Sequence, residues 1–266
     1  MITSIKIIVP TLNTYLILPK LINSLKIQTW KDWNLLFVDG NSTEKHSNWI
    51  IKSCSSDSRL NVIKQEKKFK GIYGAMNQGY KTIKDNELVL FWGSDDWAIS
   101  PNVFEDVIAK VNTYKNKYDL LICRGRYINF KSQRITRNSN FFKNKFLMSL
   151  DSKAFKKSLF LGMTPPHQAT FFNKKAFDKL SSFSENLKLA SDLDYFLKLS
   201  CIDNISILVL DNELVNMSTN GISSQRNILR FKEVFYSYKN IFGILFFVPY
   251  TLRYIRRILI RVFNLK

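Results

Sequence analysis

Short apolar runs alternate with helix-like segments along the first part of the chain. Four runs predict strands, at residues 5–9, 34–38, 60–64 and 88–92. Pro19 suits the first turn of a helix that reaches about Gln28, because its missing N–H would be unpaired there anyway. Strands that alternate with helices indicate an α/β fold, with a mostly parallel central sheet flanked by crossover helices.

Polar residues follow the predicted strands at the points where the strands end. The segment 10–13 follows the first strand, 39–43 follows the second, and 94–96 follows the fourth. In open α/β sheets, ligands bind at the carboxyl ends of the strands. We therefore expect these three segments to form one site at one end of the sheet.

Asp95 and Asp96 are adjacent carboxylates, and such a pair suits a divalent cation. Magnesium or manganese prefers oxygen ligands and usually takes only one or two carboxylates from the protein, which leaves its other positions to water and substrate phosphates. The same pair could instead cap the helix that is predicted to follow Pro101. The residues themselves leave both interpretations open.

Six short motifs, read in order, resemble those of the family 2 glycosyltransferases of the GT-A fold, in the bacterial branch that builds surface polysaccharides such as O-antigen and capsule. They are PTLN at 10–13, VDGNST at 38–43, GIYGAMN at 71–77, SDD at 94–96, HQATFF at 167–172 and ASDLDY at 190–195. A chance match of six motifs in the same order is improbable.

The resemblance implies a Rossmann-like GT-A domain over residues 1–225, with a nucleotide-binding half at 1–98 and an acceptor-binding half at 99–225. It also implies an inverting transferase, which moves a sugar from a nucleotide diphosphate donor to an acceptor hydroxyl. The chemistry passes through a state with oxocarbenium character, so the leaving group must be stabilised while a carboxylate opposite activates the incoming oxygen.

The resemblance assigns roles to individual residues on the donor side. Asp39 matches the carboxylate that receives the base of the nucleotide, a role that suits an acceptor facing the N–H of uracil. Asp96 matches the direct ligand of a manganese or magnesium ion, and Asp95 matches the neighbour that holds the ribose or sugar of the donor. The other donor-binding residues implied in this way are Pro10, Thr11, Asn13, Gly71 and Asn77.

Fewer residues are assigned on the acceptor side. Asp192 matches the catalytic base, whereas Asp194, two residues on, could instead support its helix. His167 and Gln168 match a turn near the acceptor, so we expect a contact with the acceptor or with a phosphate. His46, at a polar helix start, receives no functional role.

Two glycines depart from the pattern of this branch. Gly74 stands where many relatives have an aspartate, and Gly93 where many have an asparagine. Both positions lie close to the donor sugar in the family, so the departures affect donor identity more than reaction type. Residues 220–224 match a segment that folds over the donor in relatives, and we expect a lid there.

The formal net charge of +19 calls for an anionic partner. Nucleic acid is disfavoured, because no helix-turn-helix, zinc-finger or RNP-type motif accompanies the pI of about 9.8. The cysteines Cys54, Cys123 and Cys201 show no metal-ligand spacing and fit a reducing compartment. The N-terminal residues lack the pattern of a secretion signal, so we expect a cytoplasmic protein.

Residues 226–266 predict a basic, amphipathic helical tail. Its apolar side chains fall on one side of a helix and its arginines recur on another; the two sets are Leu252, Ile255, Leu259 and Val262, and Arg253, Arg257 and Arg261. The apolar stretch that precedes them is shorter than the about 20 residues that span a bilayer. The pattern indicates a helix lying in an anionic membrane surface, at the inner face of the plasma membrane. The alternative is a helix packed on the core of the enzyme or on a second subunit.

A basic middle region and a membrane-associating tail suit a glycan acceptor carried on a lipid diphosphate. Two other classes of protein are alternatives to the transferase. A metal-dependent nucleotidyltransferase would usually carry a glycine-rich phosphate loop near the N-terminus, and residues 10–15 contain none. A noncatalytic protein that binds a nucleotide sugar or an anionic surface would be a decayed enzyme, and the joint presence of all four candidate carboxylates speaks against decay.

Overall fold

The computed structural model describes residues 4–114, 118–129, 132–139, 141, 148–219 and 227–262. Its strands are β1 (Ser4–Thr11), β2 (Trp33–Asp39), β3 (Leu60–Lys64), β4 (Glu87–Phe91), β5 (Trp97–Ala98), β6 (Leu120–Ile128), β7 (Ile135–Ser139), β8 (Met148–Leu150), β9 (Thr170–Asn173) and β10 (Ile207–Ser218). Its helices are α1 (Leu18–Lys26), α2 (Glu44–Ser55), α3 (Gly71–Tyr80), α4 (Val103–Thr113), α5 (Ser152–Phe160), α6 (Lys174–Lys179), α7 (Ser191–Leu199), α8 (Asn227–Phe242) and α9 (Phe247–Val262). Short 3₁₀ turns at His167–Ala169 and Gly243–Phe246 precede β9 and α9.

The strands of the described residues form one sheet in the order β3-β2-β1-β4-β9-β6-β10-β5, with β7 paired to β6 and β8 paired to β10. The first four strands in this order run parallel, as predicted. Strand β9 runs antiparallel to both β4 and β6, whereas β6 and β10 are again parallel.

Helices cover both faces of this sheet. Along β1, Ile5, Ile7 and Val9 pack against the layer that contains α1, α2 and α4, whereas Ile8 packs against the layer of α3 and α5 to α8. Strands that are buried on both faces read as nearly continuous apolar runs, which explains the pattern in the sequence. Such a sheet has no exposed face for a polar site, so its polar side chains gather where the strands end.

Helix α8 packs on the domain and is not a separate tail. Val234 and Tyr238 are buried in the core. The carboxylate oxygens of Glu233 accept hydrogen bonds from the backbone N–H groups of residues 188–190 at 2.7 to 2.9 Å. These bonds fix α8 to the segment that leads into α7. The boundary expected at residues 225 and 226 lies outside the described residues.

Helix α9 turns its first arginine toward the protein. Arg253 is only 4% exposed, and a Cβ on Gly162 would lie 2.6 Å from the backbone nitrogen of Arg253. The expectation that Arg253 lies at the level of lipid headgroups is therefore wrong, because the close approach of α9 to Gly162 covers the side chain. The side chains of Arg261 and Val262 lie outside the described part of the chain.

The outward side of α9 carries both apolar and basic residues, which are Ile255, Arg256, Ile258 and Leu259. Where the chain is described, no helix combines the length and the hydropathy needed to cross a membrane. Ile255, Ile258 and Leu259 are exposed on this side of α9.

The close approach of α3 to the sheet predicts the effect of one substitution. A Cβ on Gly79 would lie 2.6 Å from Ile8 Cγ2 and 3.2 Å from Val38 Cγ2. We expect Gly79→Val to lower the free energy of unfolding by about 1–3 kcal/mol, the usual cost of overpacking a core. Urea denaturation measures the change. Lys81→Ala, at an exposed position two residues on, is the control and should change it by less than about 0.5 kcal/mol; equal effects would show that Gly79 has room for a side chain.

Candidate active site

Hydrogen bonds tie together the ends of β1, β2 and β4. The Ser94 hydroxyl donates to the Pro10 carbonyl oxygen and accepts from the Thr14 hydroxyl, both at 3.1 Å. The Asn13 N–H donates to the Ser42 hydroxyl, and the Asn13 side-chain oxygen accepts from the N–H of residue 43, both at 2.9 Å. The three polar segments thus meet at one end of the sheet, as the sequence pattern predicts.

Asp39 is the last residue of β2 and lies beside the end of β1. Its carboxylate is 4% exposed and accepts from the Ser42 hydroxyl at 2.5 Å and from the Ser42 N–H at 3.2 Å. The Thr11 hydroxyl donates to the same carboxylate at 3.5 Å. These donors hold Asp39 in one orientation, and a carboxylate retains lone pairs for a further N–H donor.

His46 contacts Asp39, and the sequence analysis missed it. It lies in the first turn of α2, is fully buried, and places Nε2 3.4 Å from Asp39 Oδ1. Burial lowers the pKa of His46, and the charge of Asp39 opposes that shift. The signal that could have identified His46 is its position, because the first turn of the helix after β2 lies beside the carboxyl end of that strand.

Gly93 allows the two adjacent carboxylates to fold back on the turn after β4. A Cβ at position 93 would lie 2.9 Å from Asp95 Oδ1 and 3.2 Å from Asp96 Oδ2. The Gly93 N–H donates to Asp96 Oδ2 at 2.6 Å. Helix α4 begins only at Val103, after an N-cap at Asn102. Neither carboxylate caps that helix, so the capping interpretation is wrong.

The environment of Asp96 favours loss of its charge or binding of a cation. Asp96 is 3% exposed, and burial together with the charge of Asp95 raises its pKa well above the ordinary value. Burial also raises the pKa of Asp95. Among the described residues, no three His, Cys, Asp or Glu side chains come together as a metal site. Two carboxylates still fit magnesium or manganese, since these ions usually complete their coordination with water and substrate phosphates.

Asp192 lies in the first turn of α7 and is held from two sides. Its Oδ2 lies 3.1 Å from His167 Nδ1, and its Oδ1 accepts from the Tyr73 hydroxyl at 3.3 Å. Burial alone would raise the pKa of Asp192, but the hydrogen bond from His167 and the charges of His167 and Arg230 outweigh it and hold the pKa below the usual range. The side chain retains 22% of its surface exposed, so an incoming group can reach it.

Asp194 has a different environment from Asp192. It is 3% exposed and forms an ion pair with Lys198, one turn along α7, at 2.6 Å. Asp194 therefore supports its helix, which was the alternative considered for it.

A hydrogen bond connects the end of the strand before the carboxylate pair to the turn that carries His167. The Trp92 indole N–H donates to the Gln168 carbonyl oxygen at 2.8 Å. Trp92 directly precedes Gly93, so this bond joins the end of β4 to the turn before β9. Gln168 contributes its backbone to this contact, whereas His167 contributes its ring to Asp192.

The side chain of Asn77 forms hydrogen bonds with the protein itself. Both N–H bonds of its amide are used, to the Phe183 carbonyl oxygen at 2.9 Å and to Glu185 Oε1 at 3.2 Å. Its side-chain oxygen accepts from the Phe183 N–H at 2.9 Å. Asn77 is thus buried and fixes the segment 183–185 against α3, and its expected contact with the donor stays a prediction. Gly71 opens α3 with a φ of +64°, a conformation that favours glycine.

The Glu185 carboxylate lies close to Gly74, a position at which the sequence departs from the family pattern. A Cβ at position 74 would lie 2.6 Å from the carbonyl carbon of Phe69 and 3.1 Å from Glu185 Oε2. That oxygen accepts from the Lys70 N–H at 2.7 Å, at the N-terminus of α3. Sequence reasoning missed Glu185, because it lies 111 residues from position 74 and no local pattern marks it. The lid expected at residues 220–224 lies outside the described residues.

The strand order, together with carboxylates after β2 and β4 and at the start of α7, is that of a glycosyltransferase with the GT-A fold. The chain belongs to glycosyl transferase family 2, whose model matches residues 6–181. It is 26% identical over 227 residues to PGL/p-HBAD biosynthesis glycosyltransferases of Mycobacterium bovis and Mycobacterium tuberculosis, and this match covers 85% of the chain and 80% of those proteins.

Solved structures show the same fold. TarS of S. aureus, crystallised with UDP and with UDP-GlcNAc, is 20–21% identical with a TM-score of 0.67. Its UDP complex covers 90% of this chain, which spans 66% of that structure. The mannosyltransferase PcManGT of Pyrobaculum calidifontis, in complex with GDP-Man and Mn²⁺, is 11% identical with a TM-score of 0.63. This match covers 94% of this chain and 69% of the PcManGT chain.

The buried, neutral His46 predicts how stability depends on pH. Because burial lowers the pKa of His46 in the fold, the unfolded chain takes up this proton more readily, and the free energy of unfolding falls as the pH drops below about 6.5. We expect a smaller loss between about pH 7 and pH 5 in His46→Gln, measured by urea denaturation. Lys45→Gln is the neighbouring control and should retain the full loss. An unchanged slope in His46→Gln would assign the pH dependence to other groups.

Proposed function

We propose that the protein is an inverting glycosyltransferase that moves a sugar from a UDP-sugar donor to a hydroxyl of a glycan acceptor. The observation that carries the proposal is the position of Asp192, which stands at the same end of the sheet as Asp39 and Asp96. Asp192 is hydrogen-bonded to His167, and the turn of His167 is hydrogen-bonded to Trp92 at the end of β4. A nucleotide site and a metal-binding pair beside a held carboxylate are the parts that this reaction needs.

The donor site rests on Asp39 and the turn after β1. Asp39 accepts the N–H of uracil, with Ser42 and Thr11 fixing its orientation, while Pro10 and Asn13 shape the turn that contacts the nucleotide. The UDP complexes of TarS support uracil as the base, whereas the GDP-Man complex of PcManGT shows that the fold also serves other donors. Asp95 holds the ribose or the sugar.

Asp96, with Asp95 beside it, would hold a magnesium or manganese ion. When bound, this ion neutralises charge on the departing diphosphate. The raised pKa of Asp96 supports the assignment, because an ionised carboxylate in this buried position calls for a counter-charge. Asp192 takes the proton of the acceptor hydroxyl, and His167 and Tyr73 position it.

The acceptor in this proposal is a glycan on a lipid diphosphate, and the product belongs to a bacterial surface polysaccharide. The net charge of +19 and the outward apolar side of α9 support an anionic, lipid-linked acceptor at the inner face of the plasma membrane. Two other candidate functions are those of a nucleotidyltransferase and of a noncatalytic nucleotide-sugar binding protein. The ligand that stabilises the fold should distinguish them from the transferase.

Thermal denaturation of the wild type and of Asp96→Asn tests the donor site. UDP with manganese should stabilise the wild type, by about 2.7 kcal/mol at a hundredfold excess over Kd, and should leave the variant unchanged. Because burial raises the pKa of Asp96, ionisation at neutral pH costs stability, so the metal-free variant should melt above the metal-free wild type. Turnover should fall by roughly 10²-fold or more in the variant.

Glu105→Gln, an exposed substitution on α4, is the matched control and should behave as the wild type. Full turnover of Asp96→Asn, or of the wild type in excess EDTA, would refute the metal assignment. Stabilisation by a nucleoside triphosphate instead of UDP would favour the nucleotidyltransferase, and stabilisation by neither would favour the noncatalytic protein.

The second test separates the base from the donor site. Asp192→Asn keeps the size and most hydrogen bonds but removes the basicity, so we expect turnover to fall by roughly 10²-fold or more with little change in UDP affinity. Asp194→Asn is the control, since Asp194 pairs with Lys198. An inactive Asp194→Asn beside an active Asp192→Asn would show that the base is misassigned by two residues.

His167→Gln adds a readout of pH to this test. The hydrogen bond and charge of His167 lower the pKa of Asp192, so their loss should raise that pKa and move the acidic limb of the kcat/KM profile to higher pH. An unmoved profile would mean that Asp192 does not set the acidic limb.

A third test concerns the membrane. The turn between α8 and α9 exposes Ile244 and Leu245 by 87% and 56%, and with Ile258 on α9 it offers an apolar surface. Apolar area supplies most of the binding of such helices to an interface. We expect Ile244→Ser with Ile258→Ser to lower sedimentation with phosphatidylglycerol vesicles several-fold, while UDP binding is kept. Ile51→Ser, an exposed isoleucine on α2, is the control, and equal effects would reject a specific membrane surface.

A further inference from the structure

Arg230 faces the start of α7, where Asp192 lies. It stands on α8, three residues before Glu233, and residues with this spacing share one side of a helix. The Glu233 carboxylate holds the N–H groups of residues 188–190, directly ahead of α7. The charge of Arg230 accordingly contributes to the low pKa of Asp192.

Arg253 approaches the same region from α9. It is 4% exposed, and its Nη1 donates to the hydroxyl of Thr164, three residues before His167. Its Nε is buried and has no hydrogen-bond partner among the described residues. A buried guanidinium N–H without an acceptor is costly, so this atom indicates a ligand that the protein does not itself supply.

Arg257 completes the cluster one turn further along α9. Its guanidinium lies 5.8 Å from the ring centre of Tyr254, and Tyr254 packs at 4.8 Å between ring centres on Phe231, the neighbour of Arg230. Burial, with the like charges of Arg253 and Arg230, lowers the pKa of Arg257 to about 9. The three guanidinium groups therefore lie close enough to repel one another.

Among the described residues, no Asp or Glu side chain lies within ion-pair distance of these three arginines, and only Arg230 interacts electrostatically with a carboxylate, that of Asp192. All 21 Asp and Glu residues lie in the described ranges, and the arginine ion pairs found there are those of Arg59, Arg124 and Arg126. Each of the latter is matched by a carboxylate, whereas Arg230, Arg253 and Arg257 have no such partner among the described residues. Like charges gathered in a partly desolvated place destabilise the fold until an anion binds.

We propose that Arg230, Arg253 and Arg257 form a subsite for a phosphate or diphosphate group of the acceptor. Guanidinium groups match phosphate oxygens in charge and in geometry. The cluster lies beside Asp192 and the turn of His167, whereas the donor carboxylates follow β2 and β4. The inference rests on the proposed function, and it deepens it: the hydroxyl that reacts belongs to a sugar close to the diphosphate of its carrier.

Calorimetric titration of the full chain with inorganic pyrophosphate, in EDTA, tests the subsite without turnover. We expect the wild type to bind, and Arg230→Gln and Arg257→Gln each to weaken binding about tenfold or more. These two positions leave the contact of Arg253 with Gly162 and Thr164 intact, so the variants should fold. Arg256→Gln, exposed on the same helix, is the matched control and should bind as the wild type. Equal weakening in all three would overturn the subsite in favour of non-specific charge.

Two further arms distinguish the source of the phosphate. If UDP displaces pyrophosphate and the arginine variants weaken UDP binding, the cluster serves the donor diphosphate and the acceptor assignment is overturned. If the variants lose only sedimentation with phosphatidylglycerol vesicles, the ligand is a lipid headgroup and the assignment is again overturned. Failure of the proposed function would be recognised separately. In that case UDP with manganese would not stabilise the wild type, whether or not pyrophosphate binds.

Discussion

Buried charge without a protein counter-charge governs this site. On the donor side, Asp96 is 3% exposed beside a second carboxylate, and on the acceptor side Arg253 is 4% exposed beside two other arginines. An ionised group held away from water costs free energy unless an opposite charge and hydrogen bonds offset it. An ionised Asp96 and the three arginines each carry such a cost, and in the proposals made above a cation would relieve the first and a phosphate group the second.

The two sets of charges do not neutralise each other because the sheet and its helices hold them apart. Asp95 and Asp96 lie in the turn at Gly93. The three arginines stand on α8 and α9, and Glu233 of α8 binds the segment before α7. Trp92 joins the two regions through the Gln168 carbonyl oxygen at 2.8 Å. Tyr73 and His167 hold the Asp192 carboxylate in place, and the hydrogen bond and charge of His167, with the charge of Arg230, keep the pKa of Asp192 low.

The sequence was informative wherever a pattern is local. Apolar runs located β1 to β4, and the polar residues after these strands marked Asp39, Asp95 and Asp96, because a sheet covered on both faces leaves polar groups only at its ends. The arginine cluster depends on contacts between distant elements, which no spacing reveals, whereas His46 could have been found from its place in the first turn of the helix after β2. Periodicity likewise showed that α9 has two unlike sides, but only packing against Gly162 decides which side faces the protein.

The departure at Gly74 shows how one loss in a motif is matched elsewhere in the fold. Glu185 brings a carboxylate to the place that a side chain at position 74 would occupy, and it is held there by Asn77 and by the Lys70 N–H. The segment that carries Glu185 continues into residues 188–190, which Glu233 of α8 binds. Helices α8 and α9 thus act on two parts of the site. Glu233 of α8 holds the segment that follows Glu185, and the arginines of both helices lie near Asp192. Loss of the Glu233 carboxylate would release the segment 188–190 from α8, because the three N–H groups of that segment donate to it.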